Sequence, residues 1–165
     1  MKNRIIIIGL SLLLYGIALS LPCLLFDILP RGVAKADAPP GQINAYGNLD
    51  NITEMTGIEL TIAGLFGLLF FVISPSLGWL ANPTYWMSCI FLARQQYKFS
   101  FFSALIAVII GFAGTVSAFW YRLPNGSSPN SELLLNKLLP GFWFWLAAPL
   151  LIGVVSLLKL TKLIK

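Results

Sequence analysis

Four long uncharged runs alternate with short polar segments along the chain: Ile5 to Phe26, Leu60 to Ala93, Phe99 to Tyr121 and Leu138 to Leu158. They are 22, 34, 23 and 21 residues long, together 100 of 165 positions, and a helix crosses a bilayer core in about 20 apolar residues. The pattern predicts an all-α polytopic membrane protein: four transmembrane helices in a bundle, one domain over residues 1–165, with spans at about 5–26, 58–80, 99–121 and 138–158. As one straight helix the second run would extend about 50 Å, too far for a single crossing. Pro75 predicts a bend, because proline removes a backbone donor and clashes with the preceding turn. Asn82-Pro83 reads as a helix start, with Asn82 as cap and Pro83 in the first turn. The second span is thus expected to be proline-bent and followed by a short helix over about 83–93, interfacial or re-entrant, with Tyr85 and Trp86 at headgroup depth.

Composition narrows the chemistry. The chain is 58% hydrophobic and 10% charged, with no histidine and a mean hydropathy of +0.84, where soluble domains carry about 25% charge. Without imidazole, haem ligation, most zinc sites and most general-base chemistry lose their usual group, so no cofactor and no metal are expected. Cys23 and Cys89 lie in different apolar runs, not in a C-x-x-C pair, and read as small buried residues without redox work. The basic Met1-Lys2-Asn3-Arg4 and the small-residue site Ala36-Asp37-Ala38 resemble a signal peptide. A 22-residue apolar stretch is long for that, so the first segment is expected to be a true span.

Counting lysine and arginine in short loops orients the chain. Four spans with both termini cytoplasmic put Lys2, Arg4, Arg94, Lys98, Lys159, Lys162 and Lys165 inside, against Arg31, Lys35, Arg122 and Lys137 outside. Five crossings would reverse the count. The expected location is a bacterial inner membrane, with residues 27–57 and 122–137 outside. Lys159, Lys162 and Lys165 are spaced by three and would anchor the tail to an anionic inner leaflet, at about 1 kcal/mol each. Trp143 and Trp145 would anchor the outer interface. The bilayer and another membrane protein, or a second copy of the chain, are the expected partners; nucleic acid is not.

Three features are candidate sites, each with a bland and a sharp reading. Ser100, Ala104, Ala107, Gly111, Gly114 and Ala118 recur at spacings of four and three, a small-residue stripe that lets another helix approach closely. It serves either packing within the chain or docking on a partner's helix. Glu59 stands just before the second run; it either sits at a helix N-terminus where the dipole favours a carboxylate, or handles a proton or cation at membrane depth, or contacts a partner. Asn82 is a cap or a second functional polar group. The outer loop 27–57, turn-rich and without strand alternation, offers a short helical turn at Asp50 to Met55 and reads as an ordered cap or partner surface.

Gly57-x-Glu59 entering a span, then Gly78-Trp79-Leu80-Ala81-Asn82-Pro83 and a basic turn at Arg94, resembles a loose group of small uncharacterised bacterial inner-membrane proteins. The resemblance covers roughly Gly57 to Lys98 and implies a four-span fold without any activity. In size, charge and topology the chain is also similar to four-span immunity proteins that protect bacteria from pore-forming toxins. Paired membrane aspartates, a serine with histidine and a serine with a buried lysine are all missing, which argues against an intramembrane hydrolase. The expected function is a non-enzymatic accessory or scaffold subunit, docking on a larger membrane complex through the third helix and the outer loop. The alternatives are a membrane immunity or inhibitor protein, or a small oligomeric channel or transporter using Glu59.

Overall fold

The first apolar run does not stay helical to its end. In the computed structural model, which describes residues 2–32, 51–69 and 77–164, helix α1 (Lys2–Ser20) stops before Pro22, and strand β1 (Pro22–Pro30) follows at once. Proline cannot donate to the helix ladder and pushes the residue before it into extended backbone. The chain then runs through β2 (Ile52–Thr56), α2 (Gly57–Leu69), a 3-10 turn (Leu77–Leu80), α3 (Ala81–Ala93), α4 (Tyr97–Ser117), β3 (Leu123–Pro124), β4 (Ser131–Leu138) and α5 (Pro140–Ile164).

The strands make one antiparallel sheet in the order β2-β1-β4-β3. The expected all-α, four-span bundle is therefore overturned: among the described residues there are five α-helices and a four-stranded sheet. Two helical segments, Tyr97–Ser117 and Pro140–Lys162, are long and apolar enough to cross a bilayer; Arg4–Ser20 and Gly57–Gly67 are shorter. The reason lies in β1. As a central strand paired on both edges, β1 buries Cys23, Leu24, Phe26, Asp27 and Leu29 without strict alternation, and the short apolar run that opens it cannot be told from a helix end by periodicity. The strand β2 replaces the helical turn expected at Asp50 to Met55, of which Asp50 lies outside the described residues.

Register holds the two central strands. Phe26 pairs with Leu135 and Asp27 with Leu134, and a bulge leaves Asn136 as an extra residue between Leu25 and Phe26. Asn136 donates through Nδ2 to Oδ1 of the buried Asp27 at 2.7 Å, so the bulge supplies a partner to the carboxylate inside the sheet.

The helices run antiparallel in register. Arg4 Nη1 donates to Ala93 O at 3.1 Å, Ser11 meets Tyr85 and Tyr15 meets Asn82, which aligns α1 with α3. Ser100 and Ser103 reach the carbonyls of Ser88 and Thr84, which aligns α3 with α4, and Ser100 with Ser156 aligns α4 with α5. The α3 residues Ala81, Asn82, Tyr85, Ser88, Cys89 and Leu92 are buried, a face at helical spacing. So the helix expected over 83–93 is present and packs one face into the core. The 58–80 span is not one α-helix throughout either: α2 is described over Gly57–Leu69, Pro75 lies outside the described residues, and Leu77–Leu80 is a 3-10 turn leading directly into α3.

At its other end α3 closes in a Schellman motif. Gln96 N–H donates to Phe91 O and Gln95 N–H to Leu92 O, with Gln95 left-handed at φ 65°, a position usually given to glycine. Lys2, Arg4, Arg94, Lys98, Lys159 and Lys162 consequently belong to the helix ends opposite the sheet.

Candidate functional site

The small-residue stripe of α4 faces inward along its whole length. Ser100 is fully buried; its Oγ donates to Ser88 O at 2.9 Å and, its one proton used, accepts from Ser156 Oγ at 2.8 Å. Ala104, Ala107 and Ala118 are buried. A Cβ on Gly111 would lie 2.6 Å from the Trp145 ring, and one on Gly114 would lie 2.5 Å from the Gly78 backbone. Every stripe residue is thus spent on α3, the 3-10 turn, α5 or, for Ala118, whose carbonyl accepts from Leu135 N–H, on the sheet.

Two polar clasps join the helices. Ser11 Oγ donates to Ala148 O at 2.9 Å, so the Tyr85 hydroxyl, 2.8 Å away, donates to Ser11. Tyr15 Oη donates to Asn82 Oδ1 at 3.1 Å and Trp145 Nε1 to the same oxygen at 3.0 Å, while the Tyr15 and Tyr85 rings stack at 5.2 Å. Asn82 therefore does not cap α3; the cap position falls on Leu80, which makes no side-chain cap bond. The helix extends one 3-10 turn further back than Pro83 suggests, and this puts Asn82 on a buried face instead of at an exposed start.

Glu59 also has a local task. With Thr56 it forms a capping box: Glu59 Oε2 accepts from Thr56 N–H and from its hydroxyl, both at 2.8 Å, while Glu59 N–H points at Thr56 Oγ1 at 3.4 Å. These donors, the backbone N–H first, hold its carboxyl below the usual range. The signature Thr56-Gly57-Ile58-Glu59 carries this box in four consecutive residues. Cys23 lies in β1 and Cys89 in α3, both buried and unpaired in disulfides, and burial pushes the Cys23 thiol up to about 11. Among the described residues no three histidine, cysteine, aspartate or glutamate side chains gather as a metal site would require. Of the expected anchors, Trp143 is exposed whereas Trp145 points into the core against Asn82. Lys159 is half-buried, Lys162 is exposed and Lys165 lies outside the described residues.

What sequence reasoning missed is a half-open cavity of about 610 Å³ beneath the sheet. Phe26, Leu24 and Leu133 of the sheet form its roof, Leu60, Thr61 and Gly64 of α2 one wall, and Trp79, Asn82, Phe142 and Trp145 the opposite side. It reaches from Phe66, on the exposed face of α2, to the polar turn Asn125-Gly126-Ser127. No charged side chain lines it among the described residues. Trp79 packs on Gly64, where a Cβ would come within 2.9 Å of the ring, and its buried Nε1–H has no hydrogen-bond partner. The strand β1 creates the space, because it places residues 22–30 across the helix ends instead of continuing α1.

No protein-family model, no curated protein and no solved structure matches this chain.

Proposed function

We propose that the chain is a non-enzymatic accessory protein of a bacterial inner membrane, with both termini cytoplasmic and the sheet on the outer side, binding a larger membrane complex through its outer end. The observation that carries this reading is the use to which the buried hydroxyls and amides are put. Ser11, Tyr85, Tyr15, Ser100 and Ser156 are spent on holding helix to helix, as structural groups would be. The gathering of basic residues at the helix ends opposite the sheet supports the orientation. With the α4 stripe turned inward, the docking face moves to the sheet end and to α2, whose Ile58, Ile62, Leu65, Phe66 and Leu69 are all exposed over its 13 described residues.

A photo-crosslinking residue at Ile62, compared with one at the equally exposed Ile6 of α1, tests this in intact cells. Ile62 should give one discrete protein adduct and Ile6 should give lipid alone. Identical adducts at both positions, or none at Ile62, would refute the docking face. Labelling of Gln96→Cys from outside the cell would refute the orientation.

A further inference from the structure

The cavity beneath the sheet presents an unpaired hydrogen-bond donor and, among the described residues, no charge. Trp145 Nε1 can only donate, so the Asn82 atom facing it is the amide oxygen. That oxygen accepts from Tyr15 as well. The other half of the amide, Nδ2 with its two protons, makes no hydrogen bond among the described residues, although Asn82 is only 6% exposed and lines the cavity. A donor without a partner on a side chain this buried is rare in folded proteins and costly to keep. On an apolar cavity it calls for an acceptor that the described residues do not supply.

The chemistry of that acceptor is narrow. Among the described residues no charged side chain lines the cavity, so an anion would be buried without a counter-charge. The volume and the few polar groups among aromatic and aliphatic walls are those of a small-molecule site. Phe66 of α2, half-exposed on an apolar face, is part of its lining. We infer that the cavity binds a neutral lipid bearing a carbonyl oxygen, its apolar body against Phe26, Leu60 and Phe142 and its oxygen accepting from Asn82 Nδ2. The inference rests on the membrane location proposed above and stands whether or not a protein partner docks on the chain. Two sources carry this chemistry, the ring carbonyl of an isoprenoid quinone and the ester carbonyl of an uncharged glyceride.

The full chain in dodecyl maltoside is titrated with decylubiquinone and, separately, with dioctanoylglycerol, following tryptophan fluorescence and the melting temperature. At least one probe should saturate at one molecule per chain; quinone alone, glyceride alone or both identifies the source. Asn82→Asp keeps an oxygen for Tyr15 and Trp145 and removes the donor, and should weaken that binding about tenfold or more. Thr61→Phe fills the cavity from α2, where the Thr61 hydroxyl bonds only its own helix at Gly57 O, and should abolish binding. Gly16→Leu, on an exposed part of α1 with nothing within 4 Å, should bind as the wild type does. The inference is overturned if neither probe saturates, as for a cavity that holds only water. It is equally overturned if Asn82→Asp or Thr61→Phe, melting as the wild type does, binds with wild-type affinity.

Discussion

Trp145 and Trp79 line the same cavity, yet only Trp145 has its indole N–H paired, to Asn82 at 3.0 Å. The difference follows from what surrounds each ring. Trp145 stands on α5 where it meets α1, α3 and α4, a region in which hydroxyl, amide and carbonyl groups satisfy one another and backbones come close enough that Gly78 touches Gly114. Trp79 stands in the 3-10 turn between α2 and the core, beside a glycine on one side and open space on the other. Close packing completes its own hydrogen bonds because partners are forced together. The looser turn leaves the Trp79 donor without one. The helix seam is therefore the part of the molecule that specifies the fold, and the space under the sheet is the part free to bind.

The largest effect should come from violating the seam. Gly114→Leu drives a side chain into the Gly78 backbone, which cannot swing aside, and overpacking of this kind costs about 3 kcal/mol or more. Gly16→Leu meets nothing within 4 Å and exchanges a poor helix former for a good one, so its stability should stay within about 0.5 kcal/mol of the wild type or rise. Melting in detergent separates the two. Equal melting temperatures would mean that the Gly78–Gly114 approach is not a constraint on the fold.

A smaller effect separates the two tryptophans. Trp145→Phe and Trp79→Phe remove the same atoms, so ring volume is matched and the difference reports the hydrogen bond. Trp145→Phe should be the more destabilising by about 1–2 kcal/mol, because a buried bond is broken in one case and an unpaired donor is deleted in the other. If Trp79→Phe proved the worse, its N–H would have a partner and the contrast between seam and cavity would fail.

These contrasts also mark what could be read from the sequence. The stripe of α4 was legible because three-and-four spacing of small residues is a property of one helix. Its inward direction was not, since the face opposite it, with Phe99, Phe102, Leu105 and Ile109 exposed, is as apolar as any core. In a chain this hydrophobic, polarity no longer tells inside from outside. The strand β1 was hidden for the same reason, and Leu133 with Leu135 of β4 would have suggested alternation only if Ser131 to Leu138 had been read as a strand instead of a loop. The end of α3 was hidden because Gln95 occupies the left-handed position where a glycine would have announced it. The cavity depends on β1 crossing the helix ends and could not be foreseen without it. The roles of Glu59 and Thr56 were legible in four consecutive residues.

The smallest effect tests that local device, which ties α2 to the sheet and hence sets one wall of the cavity. Glu59 is exposed and its carboxyl is held below the ordinary range by Thr56, so the folded state favours the ionised form. A carboxyl lowered on folding stabilises above its unfolded value, about 4.3 for glutamate, and that stabilisation is lost as the pH falls through the lower, folded value. Amide protection at Ile58 to Leu60, corrected for intrinsic exchange, should therefore be constant near neutrality and decline only below about pH 4.3. Thr56→Ala removes the hydroxyl from the cap and should cost about 1 kcal/mol, confined to the first turn of α2 because the strand pairing of Thr56 with Pro22 is backbone. Glu59→Gln should lower protection at neutral pH and flatten the acid decline, since an amide has no proton to take up. The Trp145 clasp, far from any carboxylate pairing of its own, should keep its protection across the same range. A decline that included α3 and α5 amides would show that α2 is part of the cooperative core after all, and that the boundary between the packed seam and the binding space lies elsewhere.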